Sequence, residues 1–233
     1  MSAILEARGV KKHFLGGGDT VLEVLTDVNL AVGLGEVIAV VGASGTGKST
    51  LLHLLGALDV PTAGEILVDG RSYSALSEVE RDVLRNEKIG FVFQFHHLLR
   101  EFSALENVMM PLLIGGSSAA KARSRAEQLL ADVGLAGRMT HRPATLSGGE
   151  QQRCAVARAL AREPSVVLAD EPSGNLDNHN SERLHDLLFD LARNLETALV
   201  VVTHNNALAQ RCDRVLLLED GRLRSADPAG VLP

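Results

Sequence analysis

The stretch "EVIAVVGASGTGKSTLLHLLGAL" limits what this chain can fold into more than any other. A compact β-branched run leads directly into a glycine-rich loop, and the loop leads into an apolar helical pattern. Gly42, four residues, then Gly47, Lys48 and Ser49 is the spacing of a phosphate-binding loop. In such a loop the backbone amides of Gly42, Ala43, Ser44, Gly45, Thr46 and Gly47 point inward. The helix opening with Lys48, Ser49 and Thr50 adds its positive end. Glycines are required because side chains would block the phosphates. Lys48 then reaches the β- and γ-phosphates, and the Ser49 hydroxyl ligates Mg²⁺.

The rest of the chain supplies a scaffold for that loop. From Ile4 to about Leu34, short alternating runs separated by Gly16, Gly17, Gly18 and Asp19 read as strands and turns. "GEILVDG", the charged helical "SEVERDVLRNEK" and the buried-strand pattern "IGFVFQF" follow Pro61. Residues from about Phe95 to Ala161 carry helical periodicity with breaks at Pro111, Gly115, Gly116 and Pro143, which predicts a helical insertion. Strand patterns resume at "SVVLADE", "TALVVVTH" and "RVLLLED", the first two separated by the helical "NSERLHDLLFDLARN". This alternation predicts an α/β fold with a mostly parallel sheet flanked by helices. At 233 residues the chain is long enough to bury a full core.

Composition removes several classes of function. The formal charge of −6 provides no broad basic surface, so nucleic acid is not an expected partner. Cys154 and Cys212, the only cysteines, are far apart in sequence and predict neither a disulfide framework nor a thiolate metal site. The opening "MSAILEARGVKKHF" does not read as a signal peptide, and no apolar run approaches the roughly 18 residues of a membrane helix. Work at a membrane would therefore need partners.

Two further motifs bear on chemistry. In "VVLADEP" four apolar residues place Asp170 at the C-terminal end of a buried strand, where α/β sheets keep their ligands. Asp170 would hold Mg²⁺ through its water shell, and Glu171 beside it can orient and deprotonate an attacking water. By themselves these acids more often mark a surface turn before Pro172. In "TLSGGEQQR", Ser147, Gly148 and Gly149 open a helix and form a second set of anion-facing amides, although a plain capped helix has the same pattern. One nucleotide in the first loop does not need the second set, which raises the possibility that it serves a nucleotide bound to another copy.

In order, the phosphate loop, "FQF" at residues 93 to 95, "LSGGEQQR", "LADEP", "SGNLD" and "TH" resemble the nucleotide-binding subunits of ABC transporters over essentially the whole chain. The resemblance implies a P-loop NTPase of ABC type forming one domain over 1–233. Its core, with an antiparallel β part, spans 1–94 and 162–233, and its helical subdomain spans 95–161. It also implies ATP hydrolysis with ATP and Mg²⁺, and a second copy of the chain in an ATP-sandwich dimer. By the same resemblance Gln94 senses the γ-phosphate and the membrane partner and is a candidate metal ligand, Asp177 faces the dimer partner, and His204 is the switch histidine. Phe14 takes the place of the aromatic, commonly Tyr, that stacks on adenine; Tyr73 is the only tyrosine and there is no Trp.

"LLHLLGALDVPTAGEI" and "FVFQFHHLLREFSALENVMMPLLIGG" are similar to the ATPases of lipoprotein-releasing transporters, while macrolide-efflux and cell-division ATPases share the general pattern. This implies two integral membrane subunits that handle a lipoprotein, with the ATPase peripheral on the cytoplasmic face of a bacterial inner membrane and "QFHHLL", including His96 and His97, at the contact. Ser173 and Gln151 depart from the residues common in the family, Thr and a basic residue, without removing a catalytic group.

Overall fold

A computed structural model describes residues 3–16 and 21–227. Of the predicted glycine turn, Gly17, Gly18 and Asp19 lie outside the described residues, as do Met1 and Ser2.

The first two strands, β1 (Ala3–Leu15) and β2 (Val21–Gly33), form a long antiparallel pair. With β4 (Ala63–Val68) and β5 (Arg71–Ser72) they make a four-stranded sheet in the order β2-β1-β4-β5. The strands run further than the short alternating runs predict, because register shifts between Ala7 and Val10 and between Val10 and Lys12 absorb the breaks in alternation.

β3 (Val37–Val41), β6 (Ile89–Phe93), β7 (Val166–Asp170), β8 (Ala198–Val202), β9 (Arg214–Glu219) and β10 (Arg222–Ser225) build a second sheet in the order β10-β9-β3-β8-β7-β6. All its pairings are parallel except that of β10. β3 and β8 are buried along their whole length, as parallel strands covered on both faces must be. Alternate residues serve different cores. Ile38, Val40, Val200 and Val202 pack towards the antiparallel sheet and α1 (Lys48–Leu55), while Leu199 and Val201 pack towards the helices.

The helices are α2 (Glu78–Lys88), α3 (Ala104–Ile114), α4 (Ala119–Asp132), α5 (Gly148–Ala159), α6 (Asn178–Asn194) and α7 (Asn206–Ala209). α2, α3 and α5 each begin with a Ser–Glu capping box, a pattern of the type S-x-x-E that satisfies two orphan amide groups. Pro111 corrects the sequence expectation. It lies inside α3 rather than breaking it, close enough to the helix end that only the final turn follows, and Gly115 takes the C-cap. The Pro111 carbonyl is used twice, by the Gly115 amide at 3.1 Å and the Asn86 side chain at 3.2 Å. Among the described residues no helix is long and apolar enough to cross a membrane.

Candidate nucleotide site

The phosphate loop connects β3 to α1 at the C-terminal edge of the parallel sheet. Gly42 and Gly47 are fixed by close approach. A Cβ on Gly42 would come within 2.6 Å of the Leu218 carbonyl oxygen, and one on Gly47, at φ +98°, within 2.6 Å of Val24. Thr46 ties the turn by donating its hydroxyl to the Ala43 carbonyl at 3.0 Å. The amides of Gly45, Gly47, Lys48 and Ser49 meet no acceptor among the described residues, so the loop presents a set of open donors. Ser44 and Gly45 are exposed beside them. Lys48 folds back over the loop, its Nζ donating at 2.8 Å to both the Gly42 and Ala43 carbonyls. Thr50 continues into α1.

β7 and β8 bring the acids and the histidine to this loop. Ser49 donates its hydroxyl to Asp170 Oδ2 at 3.0 Å, across 121 residues of chain. Burial holds the Asp170 carboxyl above the usual aspartate range; the Ser49 hydrogen bond opposes that shift, and the neighbouring Glu171 charge adds to it. A desolvated carboxylate beside a hydroxyl is the hard-oxygen donor set that Mg²⁺ takes.

Glu171 has φ +44°, a left-handed conformation that costs a non-glycine residue about 1–3 kcal/mol. Contacts on several sides hold it there. Its amide donates to the Val202 carbonyl at 2.9 Å, its Oε1 lies 2.7 Å from His204 Nδ1, and its Oε2 accepts from the Thr203 hydroxyl at 3.3 Å. The His204 ring is 71% exposed whereas the Glu171 side chain is 17% exposed, so the histidine faces solvent while the acid is set in the wall. Thr203 has a second task, accepting the Asn205 amide at 3.0 Å.

Gln94, at the end of β6, is not joined to Ser49 or Asp170. Its Nε2 donates to Asn175 Oδ1 at 3.2 Å, and Asn175 returns a hydrogen bond to the Gln94 carbonyl at 3.0 Å. Asp177 caps α6, accepting the Asn180 amide at 3.0 Å, and that amide holds its carboxyl below the usual range. Ser147 caps α5 and Glu150 closes the box, its Oε2 accepting the Ser147 amide at 2.8 Å. The Gly148 and Gly149 amides meet no acceptor among the described residues.

Phe14 is 42% exposed on β1, with Lys12 Nζ 4.9 Å from its ring centroid. Tyr73 is no rival, since it is buried with its hydroxyl donating to the Leu55 carbonyl at 2.7 Å. Sequence reasoning assigned no role to Asn175 or Thr203, although both stand in quoted motifs, "SGNLD" and "TH". What was missing was the partner each would face.

The ABC transporter family profile matches residues 25–174. The chain belongs to the ABC transporter family. It is 53% identical over 230 residues to the lipoprotein-releasing system ATP-binding protein LolD of Xanthomonas oryzae pv. oryzae, covering 99% of this chain and 94% of that protein. It is 51% identical over 220 residues to the LolD of Legionella pneumophila, covering 94% and 96%. Among solved structures, the dimeric bacterial ABC transporter cassette MJ0796 aligns with a TM-score of 0.88 at 38% identity, over 97% of this chain and 99% of that one. A post-hydrolysis dimer of the same cassette, bound to ADP and Pi, gives 0.87. The ABC cassette fold and an ATP-hydrolysing activity follow for this chain.

Proposed function

We propose that this chain is the ATP-hydrolysing subunit of a transporter that releases lipoproteins from the inner membrane towards a periplasmic carrier. The observation that carries the catalytic half is the convergence of Ser49, Asp170, Glu171 and His204 at one end of the parallel sheet. Full-length similarity to LolD supports the substrate.

In this reading ATP lies with its phosphates on the open amides of the phosphate loop, and Lys48 exchanges the Gly42 and Ala43 carbonyls for phosphate oxygens. Phe14 stacks on the adenine. Ser49 and Asp170, with Gln94, would hold Mg²⁺, which when bound neutralises charge on the phosphates. Glu171 orients the attacking water and takes its proton, and His204 moves from Glu171 towards the transferred phosphate. Two copies close on two nucleotides, with Ser147, Gly148 and Gly149 of one facing the phosphates held by the other. Asp177, at the start of α6, meets the partner across the same face.

The membrane partners would be two integral subunits of the LolC/LolE type, with this chain on the cytoplasmic side. A cleft of about 530 Å³ lined by Phe91, Phe93, Leu99 and Ile114, with Asp82, Arg85, Arg158 and Arg162 also in its wall, suits an amphipathic segment from one of them. Ile114, 70% exposed, stands at this surface. His96 is a weaker candidate for contact than its motif implies. Its Nδ1 is buried with no hydrogen-bond partner among the described residues, and Arg158 holds the His96 and His97 carbonyls at 2.9 and 2.7 Å. Each acyl methylene withdrawn from a membrane costs about 0.8 kcal/mol in water, so whole chains need shelter from those subunits throughout. This subunit supplies the closing motion and does not touch the lipid.

The test is to purify tagged Glu171→Gln with ATP and Mg²⁺ from detergent-solubilised inner membranes and identify what remains bound. We expect ATP retention, turnover reduced by about 10²–10⁴, and two related membrane subunits with trapped lipoprotein. Near-normal turnover would sink the role of Glu171. A lone efflux permease or a division protein would leave the motor intact and overturn the substrate.

A further inference from the structure

The seven residues from Glu171 to Asp177 join the water-activating acid to the residue assigned to the dimer face. Their backbone is a succession of tight turns, Gly174 N–H to the Glu171 carbonyl at 3.0 Å and Leu176 N–H to the Ser173 carbonyl at 3.0 Å. Gly174, Asn175 and Asp177 are exposed, whereas Pro172 and Ser173 turn inward. Behind them, on α6, lies His185, buried to 3% exposure, with its Nε2 2.8 Å from Ser173 Oγ. Ser181, one turn earlier on the same helix, directs its hydroxyl at the Ser173 and Leu176 carbonyls at 3.5 and 3.4 Å. A buried imidazole and a buried hydroxyl satisfy each other here, and either left alone would carry the penalty of an unpaired polar group. The left-handed Glu171 persists only if its surroundings over-determine it. The contacts named so far fix its side chain and its amide, while the chain that leaves it is fixed through Ser173.

We propose that His185 is a positioning residue for ATP hydrolysis: through Ser173 it anchors the turn from Glu171 to Asp177 on α6, and so sets the acid against the attacking water. This rests on the role given to Glu171 above. His185 touches neither nucleotide nor water. Its effect is on the geometry of the chemical step and not on ATP affinity, which belongs to the phosphate loop and Phe14 on the other side of the site.

Steady-state ATPase of the purified full-length chain tests this with His185→Phe, His185→Gln, Ser173→Ala, the double variant His185→Phe/Ser173→Ala, and Glu171→Gln alongside. We expect His185→Phe and Ser173→Ala each to lower kcat about fivefold to tenfold, the effect of one buried hydrogen bond, with KM for ATP within about twofold. The double variant should be no slower than the slower single variant, because both remove the same bond. Glutamine places a polar nitrogen close to the histidine Nε2 position, so His185→Gln should recover most of the rate. An unchanged kcat in folded His185→Phe or Ser173→Ala, a raised KM with intact kcat, or equal losses in the Phe and Gln variants would overturn the proposal. If His185→Phe does not fold, Ser173→Ala decides alone. Should Glu171→Gln turn over normally, the reading of Glu171 has failed; if it is dead while the His185 and Ser173 variants are unaffected, only the positioning role has.

Discussion

The chain has two helix starts built to face an anion, and they are completed differently. At α1, residues from three separate segments converge: Lys48 lies over its own loop, Ser49 reaches Asp170, and Glu171 is held by Thr203 and His204. At α5, the cap is local. Ser147 and Glu150 satisfy each other, Arg138 braces Glu150 at 2.9 Å, and the Gly148 and Gly149 amides stay open. The first start carries the acids and base that hydrolysis needs, while the second carries donors and no chemistry of its own. If both starts serve one nucleotide, each chain holds only half of the site, which is the physical reason to expect a pair.

The largest effect should come from breaking the second half alone. In Gly149→Asp the new carboxylate stands where phosphate charge would sit, and its Cβ comes within 3.3 Å of Asn180 Oδ1. ATPase activity should fall by about 10²–10³, the scale seen when an oxyanion donor is lost, while nucleotide binding to the single chain stays unchanged. Mixing this variant with Lys48→Ala sharpens the comparison. A mixed pair has one site with both defects and one with neither, so part of the activity should return. No recovery in mixed pairs would mean that both halves serve a nucleotide within one chain.

A middle-sized effect belongs to the first half. Phe14→Ala should raise KM for ATP by about 5- to 150-fold, corresponding to roughly 1–3 kcal/mol of base stacking, and leave kcat nearly unchanged. An equal loss in kcat would place Phe14 in the closing of the pair rather than in base recognition.

The smallest effect separates the two starts by pH. The Ser147 amide and then Arg138 hold the Glu150 carboxyl down to about 2. An unfolded glutamate titrates near 4.3, so this stabilisation is complete above about pH 4.3 and is lost as pH falls towards 2. Glu150→Gln should flatten that part of the acid-unfolding curve. Asp170, which burial holds above its usual range, has the opposite sign: its ionisation weakens the fold at neutral pH, and Asp170→Asn should raise the melting temperature slightly while activity is lost.

Much of this was legible in the chain because the signals are local. The phosphate loop is nine consecutive residues, the capping boxes are spaced three apart, and β3 and β8 are apolar throughout because both faces are covered. Pro111 shows where local reading fails. A proline reads as a break, but one near the end of α3 removes a single helix bond and leaves only the last turn to follow it. Local reading also leaves out what holds the "QFHHLL" loop: Arg158 takes the His96 and His97 carbonyls from 62 and 61 positions away, and Phe93 packs edge-on to the His97 ring at 5.3 Å.

By itself, the sequence determined the phosphate loop, the parallel sheet and the two helix starts, since each depends on residue types at fixed spacing along a strand or a helix turn. Only the tertiary structure decided which groups meet. Ser49 with Asp170, Glu171 with His204, Gln94 with Asn175 and His185 with Ser173 are separated by 121, 33, 81 and 12 residues. Such pairings follow from strand order and sheet twist, and no periodicity along the chain records them.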